Sequence, residues 1–200
     1  MILNTQSLLL ASTSPARKAI LASAGLNFVV KGPEIDEPAF HQKFKDSPAP
    51  EMAQKLAAQK ALSLSNATDD IWVIGADQIL EFEGRVIHKA NSMEEAQANL
   101  RKLNNKTHRL HSAVCVAQNH QLRFKHISTA TMQMRNLGED FLQNYFHSAK
   151  EALLYSVGGY HIEGLGIQLF DKIEGDIHTV MGMPLLPLLA FLRQEGIILK

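Results

Sequence analysis

Cysteine is almost absent from this sequence: Cys115 stands alone among 200 residues. No internal disulfide can form, and without a Cys/His cluster there is no structural zinc signature. A reducing cytoplasm fits that usage best. Net charge is lacking too, because 20 Lys+Arg cancel 20 Asp+Glu, which leaves no overall basic field for a nucleic-acid backbone or an anionic membrane. Any phosphate binding must then be local. Glycine and proline are sparse at 12 and 7 while 46% of residues are hydrophobic, so collagen-like, low-complexity and disordered classes are excluded. No apolar stretch approaches the ~20 residues of a membrane span. The run MGMPLLPLLAFL near the C-terminus is short and interrupted by prolines. The run LLLA at residues 8–11 is too short, and too soon followed by Arg17 and Lys18, for a signal peptide. The chain is expected to be mature, soluble and cytoplasmic.

What is present suffices for one globular domain over residues 1–200, burying roughly 70% of its extended-chain surface. SLLLAS reads as a short buried strand that runs into Thr13-Ser14-Pro15. Ser14 is placed to cap a helix, with Pro15 in its first turn and Gly25 at its end. A strand is expected over residues 27–31. The proline-rich, mixed-charge stretch 31–50 reads as a long surface loop of the kind that carries function. Residues 51–64 have helical spacing, with Lys55 and Lys60 on the polar side. Residues 71–74 form a second buried strand that ends at Gly75-Ala76-Asp77, followed by a turn at EFEGR. Ser92 and Glu95 match a capping box that opens a helix to about Leu103. Two long strands, 107–117 and 122–134, flank the polar turn QNHQ, and a helix is expected over 138–149. Glycines break residues 158–166 into short strands, and Pro184 and Gly196 bracket a final helix. Alternating strands and helices indicate an α/β fold, and the two adjacent long strands make its sheet mixed.

Three features could carry chemistry. In LASTSPARKAIL a strand, a hydroxyl-rich turn and a helix start present free N–H groups, the hydroxyls of Ser12, Thr13 and Ser14, and the guanidinium of Arg17. Such a helix N-terminus can bind phosphate. The alternative is that Ser14 merely caps the helix and Arg17 is solvated. There is no Walker A pattern, and GLG at 164–166 lacks the third glycine of a dinucleotide fingerprint. In VIGADQ an apolar strand delivers Asp77 just past its end, where a carboxylate can hold Mg²⁺ or take a proton from water, or can simply open a turn. In PEIDE, Glu34, Asp36 and Glu37 are either site acids or a solvated loop; Lys89 is a cation soon after the Asp77 hairpin. His108 and His111 lie three apart on an expected strand, so they face opposite sides and cannot share a metal ion. Cys115 in AVCVA reads as a small buried hydrophobe.

With these residues laid out, the chain resembles the Maf family of nucleoside triphosphate pyrophosphatases over nearly its whole length. The resemblance is carried by LASTSPARKAIL, PEIDE, KLAAQKA, VIGADQIL followed by GRVIHKA, THRLHSAVCV, GGYHIEGLG and IEGDIHTVMGMPL. It implies a mixed α/β fold in two lobes around a deep cleft, as in inosine triphosphatases. It also implies an often homodimeric enzyme that uses Mg²⁺ or another divalent cation to cleave a nucleoside triphosphate to monophosphate and pyrophosphate. Carried over by motif, the phosphate loop falls on Ser12 and Arg17, the loop acid on Glu37, the helix lysine on Lys60 and the second lysine on Lys89. The proton acceptor falls on Asp77, with Mg²⁺ coordination by Asp77 and Glu37 as its rival role.

Departures matter as well. The family commonly reads SPRR where this chain has Ala16, KP where it has Lys89-Ala90, and SG where it has Asn104-Asn105. Ala16 takes one cation from the substrate-binding mouth. Branches acting on dTTP and UTP carry Thr and Gln at two places that here hold Gln78 and Glu163, and this pair resembles the branch acting on 7-methyl-GTP. A carboxylate can accept both guanine edge donors, N1–H and N2–H₂, whereas uracil and thymine offer one N–H between two carbonyls. Methylation at N7 makes the base cationic, which a carboxylate also favours. The alternatives are local capping by Glu163 in an enzyme of broad or dTTP/UTP preference, and a nucleotide-binding regulator of cell division without turnover. The presence of Asp77, Glu37 and both lysines favours catalysis. Nucleic acid is not an expected partner, since no basic stripe is visible.

Overall fold

The computed structural model describes residues 4–66 and 70–199. Its elements, in chain order, are β1 (Ser7–Ala11), α1 (Pro15–Ser23), β2 (Val29–Lys31), α2 (Glu37–Lys43), α3 (Ala49–Ser63), β3 (Ile71–Phe82), β4 (Arg85–Ile87) and α4 (Met93–Leu103). There follow β5 (Thr107–Gln118), β6 (Gln121–Met134), α5 (Glu139–Ser148), α6 (Lys150–Tyr155), β7 (Phe170–Glu174), α7 (Ile177–Val180) and α8 (Leu185–Gln194). The seven strands form one sheet in the order β2-β1-β3-β5-β6-β7, with β4 paired to β3. The sheet is mixed, as expected: β1 is parallel to both β2 and β3, while β3–β4 and β6–β7 are antiparallel.

Chain contacts divide the protein into two compact units. The first takes the residues up to Gln78, Ser112–Ser128 and those from Gly182 onward; the second takes Ile79–His111 and Thr129–Met181. In the first unit, α1 forms where its caps dictate: Ser14 Oγ accepts the Arg17 amide at 3.4 Å, Pro15 sits in the first turn, and Gly25 closes the helix at φ 77°. Leu10, Leu21, Leu56, Ile74 and Leu188 are fully buried in its core. α3 lies directly against β3 at Gly75. A Cβ there would collide with the Ala57 carbonyl oxygen and sit 2.5 Å from the Ala61 amide nitrogen, so only glycine admits this approach. Cys115 is wholly buried in β5, and burial pushes its thiol up to about 12, which makes it the inert hydrophobe expected.

The second unit packs Leu100 and Leu103 of α4, Met132 and Met134 of β6 and Leu153 of α6 into its own core. Its two buried histidines serve different partners. His111 Nε2 is 2.7 Å from Glu81 Oε2 and its Nδ1 is 2.9 Å from Thr129 Oγ1, whereas His108 Nε2 is 2.6 Å from the Tyr160 hydroxyl. Asn105 has φ 56°, a left-handed conformation that asparagine tolerates better than most side chains, and the Asn104 side chain pairs with the backbone of Leu137 on both sides.

Several expectations need correcting. The stretch 31–50 is no continuous loop: Asp36 accepts the Ala39 amide at 3.0 Å and starts α2, with Pro38 in the first turn, where its missing N–H costs nothing. Asp77 does not lie past the end of β3, because the strand runs on to Phe82 and turns through Glu83 and Gly84, both at positive φ, to pair with β4. Residues 158–164 are turns and irregular chain rather than strands, and a 3₁₀ helix follows at Leu165–Leu169, whereas Pro184 and Gly196 do bracket α8. The helices α6 and α7 were not foreseen.

Candidate active site

The carboxyl end of the β1–β3 ladder positions the first group of side chains. Parallel pairing stops at Ala11 and Gly75, so the turn after β1 and Asp77 on β3 both lie just beyond the last shared rung. That is where working residues collect on a parallel sheet. Although mid-strand, Asp77 therefore occupies the end of the parallel segment.

Lys60 was expected on the polar side of its helix; instead it is 5% exposed and faces Asp77, itself 7% exposed. Gly75 permits this by letting α3 lie flush on the strand. The Lys60 Nζ lies 2.7 Å from Asp77 Oδ1 and 2.9 Å from Glu37 Oε1. A buried ammonium is tolerable only with such partners, and two carboxylates supply them. The other helix lysine, Lys55, pairs with Glu51 and lies over the Phe44 ring.

The three acids of PEIDE have three separate jobs. Glu34 pairs with Lys31 at 2.7 Å on the surface, Asp36 caps α2, and Glu37 reaches Lys60. Proximity in sequence gave no way of separating them; the first turn of α2 does so by turning Glu37 inward.

Ser12 and Arg17 are also brought together. Arg17 donates from Nε to the Gly182 carbonyl oxygen at 3.0 Å and from Nη1 to Ser12 Oγ at 3.4 Å, and Ser12 Oγ accepts the Ser14 amide at 3.2 Å. Burial pushes the guanidinium below its ordinary value, and the charges of Asp77 and then Glu37 push it back up. A guanidinium stays a cation in proteins, and Arg17 has N–H donors beyond the two used here. Gly182 has φ 94°, and a Cβ on it would touch the Arg17 guanidinium and the Gln78 side chain at 3.5 and 3.7 Å. Gln78 donates from Nε2 to the buried Ser112 Oγ at 2.9 Å. Gly75, Gly182 and Ser112 were missed by sequence reasoning. Only Gly182, between two methionines and before a proline, had a signal that could have marked it as a tight turn.

Ala16 lies in the first turn of α1. The remaining two expected residues belong to the second unit. Lys89 is exposed in the segment after β4, and Glu163 is exposed in the turn that precedes the 3₁₀ helix. Among the described residues no group of three or more His, Cys, Asp and Glu side chains could hold a metal ion. Asp77 and Glu37 together offer two hard oxygen donors, a set that suits Mg²⁺, which takes one or two carboxylates and completes its shell with water and substrate phosphate.

This chain belongs to the Maf family, whose pattern, described as Maf-like protein, matches residues 7–195. Among its relatives is a protein of Nitrobacter winogradskyi named nucleoside triphosphate pyrophosphatase, 44% identical over 194 residues that cover 97% of this chain and 96% of the relative. A protein of Brucella abortus named 7-methyl-GTP pyrophosphatase is 45% identical over 193 residues, 96% of this chain and 97% of the relative. Among solved structures, a HAM1 protein from Coxiella burnetii is similar at 15% identity and a TM-score of 0.43, over 65% of this chain and 73% of that one.

Proposed function

We propose that this protein is a nucleoside triphosphate pyrophosphatase that cleaves the α–β phosphoanhydride bond and prefers a guanine nucleotide, 7-methyl-GTP foremost. The observation that carries the proposal is the buried Lys60 shared by Asp77 and Glu37, in the same unit as the hydrogen-bonded Ser12–Arg17 pair, in a chain of this family. Arg17, oriented by Gly182 and Ser12, forks onto phosphate oxygens. Lys60 fixes the Asp77 carboxylate, which accepts a proton from the water whose oxygen bonds to the α-phosphorus. The bond from that phosphorus to the bridging oxygen breaks, and pyrophosphate leaves with the electron pair. In the rival role of Asp77, it and Glu37 would together hold Mg²⁺, which supplies charge neutralisation for the phosphates when bound.

Two roles in the second unit follow from motif position: Lys89 as a phosphate cation and Glu163 as reader of the guanine edge. The deciding experiment screens the purified protein with Mg²⁺ against normal and modified triphosphates, resolving pyrophosphate from orthophosphate. Nucleoside monophosphate and pyrophosphate are expected, fastest from 7-methyl-GTP. Orthophosphate and diphosphate as primary products would overturn the proposed bond, and equal or better use of dTTP and UTP would overturn the proposed base.

A further inference from the structure

The segment that carries Glu163 is fastened from beneath at several points, all within the second unit. The Tyr145 hydroxyl donates to the Gly159 carbonyl at 3.0 Å. The Tyr160 hydroxyl lies 2.6 Å from His108 Nε2, and the Tyr160 ring meets Phe170 edge-on with centroids 4.8 Å apart. Ile162 is buried, and Gly166 folds back so closely that a Cβ on it would lie 2.5 Å from the His161 carbonyl oxygen. Glu163, between the buried Ile162 and Gly166, is exposed. Anchors on both sides of Glu163, at Ile162 and Gly166, fix the backbone that carries its carboxylate.

Of the anchors, the His108–Tyr160 pair is the one each side chain depends on. His108 is 1% exposed, and its other ring nitrogen, Nδ1, is buried with no hydrogen-bond partner among the described residues. Among the described residues the hydroxyl of Tyr160 is thus the one hydrogen-bond partner of the ring, which also packs against the Phe170 ring at 5.9 Å, and the ring is the buried polar contact of the hydroxyl. If either is removed, the other is left unsatisfied in the core, so the pair holds β5 and the 158–166 segment in one arrangement. THRLHSAVCV and GGYHIEGLG, far apart in sequence, are joined by this bond.

We propose that His108 and Tyr160 are positioning residues for base selection, acting through Glu163. The proposal rests on the base-reading role of Glu163. Its prediction is a change in substrate ratio rather than in overall rate, because a displaced carboxylate costs the guanine contacts and nothing else. Displacements of about 1 Å can cost ~10²-fold in rate.

The test uses the full chain with Mg²⁺ and compares kcat/KM for 7-methyl-GTP and UTP. Tyr160→Phe keeps the ring against Phe170 and removes the hydroxyl. It should lower the 7-methyl-GTP to UTP ratio by about tenfold, mainly through the KM for 7-methyl-GTP, with UTP turnover held within about twofold. Met132→Ala, a core change in the same unit, supplies the control for lost stability and should leave the ratio within about twofold. Tyr145→Phe frees the Gly159 carbonyl and should move the ratio in the same direction; it carries the test if Tyr160→Phe does not fold. Adding Tyr160→Phe to Glu163→Gln should shift the ratio no further than Glu163→Gln alone.

A Tyr160→Phe ratio no different from that of Met132→Ala would overturn the positioning role. If Glu163→Gln itself leaves the ratio unchanged, the base-reading role has failed and the positioning role goes with it. A shift with Glu163→Gln but none with Tyr160→Phe or Tyr145→Phe overturns the positioning role alone.

Discussion

Gly75 lies so near Ala61 that an added Cβ would sit 2.5 Å from the Ala61 amide nitrogen, and the residue next to Ala61 is Lys60. Helix spacing and ion-pair geometry are therefore one quantity. A methyl at Gly75 must push α3 from the strand and draw the Lys60 ammonium away from Asp77. Gly75→Ala should destabilise the fold by about 1–3 kcal/mol through overpacking and lower kcat at least tenfold, a modest share of what ~1 Å of misplacement can cost. Urea unfolding and steady-state kinetics on one preparation check both. A stable variant with wild-type kcat would show that this spacing is not required.

Asp77 is expected to be indispensable to turnover. Asp77→Asn keeps the shape and removes the proton acceptor, so kcat should fall by about 10² to 10⁴. The buried Lys60 retains Glu37 as a partner at 2.9 Å, so the variant should still fold and bind nucleotide. Equilibrium binding beside single-turnover kinetics separates the two effects. Retention of more than about a tenth of the wild-type rate at saturating Mg²⁺ would make Asp77 structural.

Glu163→Gln replaces one acceptor by a donor that would face a donor of guanine. We expect kcat/KM for 7-methyl-GTP to fall about 10²-fold, with UTP and dTTP level or improved. Because Glu163 is exposed, the melting temperature should barely move. Equal losses for guanine and pyrimidine triphosphates would remove the guanine preference.

The acid sensitivity of the fold should carry the mark of His108. Burial pushes its imidazole down to about 4 from 6.5, so the unfolded chain takes up a proton near pH 6.5 and the folded chain only near pH 4. The stabilisation from keeping His108 neutral is complete above pH 6.5 and is lost as pH falls from there towards 4, up to about 3 kcal/mol at ~1.4 kcal/mol per unit. Urea midpoints between pH 7 and pH 5, above most carboxylate titrations, follow it together with His126, which burial also pushes down, so the His108 share is the difference from a variant. His108→Asn should flatten that slope by up to about one proton, and an unchanged slope would assign the effect elsewhere.

Much of this was legible where local chemistry and tertiary structure agree. Ser14, Pro15 and Gly25 marked both ends of α1 because caps and positive-φ positions depend only on near neighbours. The end of β3 was misplaced because Gly75-Ala76-Asp77 looks like a turn, while the true limit is set by pairing with β4. The prolines of the 31–50 stretch hid α2, since Pro38 is harmless in a first turn that only Asp36 announces. In the site, Asp77, Lys60, Glu37, Ser12 and Arg17 were visible through their motifs. Lys60 was still assigned to the wrong face, because helical periodicity treats a lysine as solvated and cannot foresee two carboxylates arriving from β3 and α2.

The two acids that share Lys60 stand on supports of very different durability. Asp77 belongs to an interior strand, whereas Glu37 opens a seven-residue helix none of whose residues is buried. That helix is held by the Asp36 cap, the contact of Phe40 with Phe44 and the Lys55 ammonium over the Phe44 ring. An element with so little hidden surface opens by itself, far below the free energy that unfolds the strand. Its amides should trade hydrogen for deuterium in a fast phase, while those around Asp77 wait for global opening. The site thus rests on one carboxylate fixed to an interior strand and one carried by a short helix with no buried residue of its own.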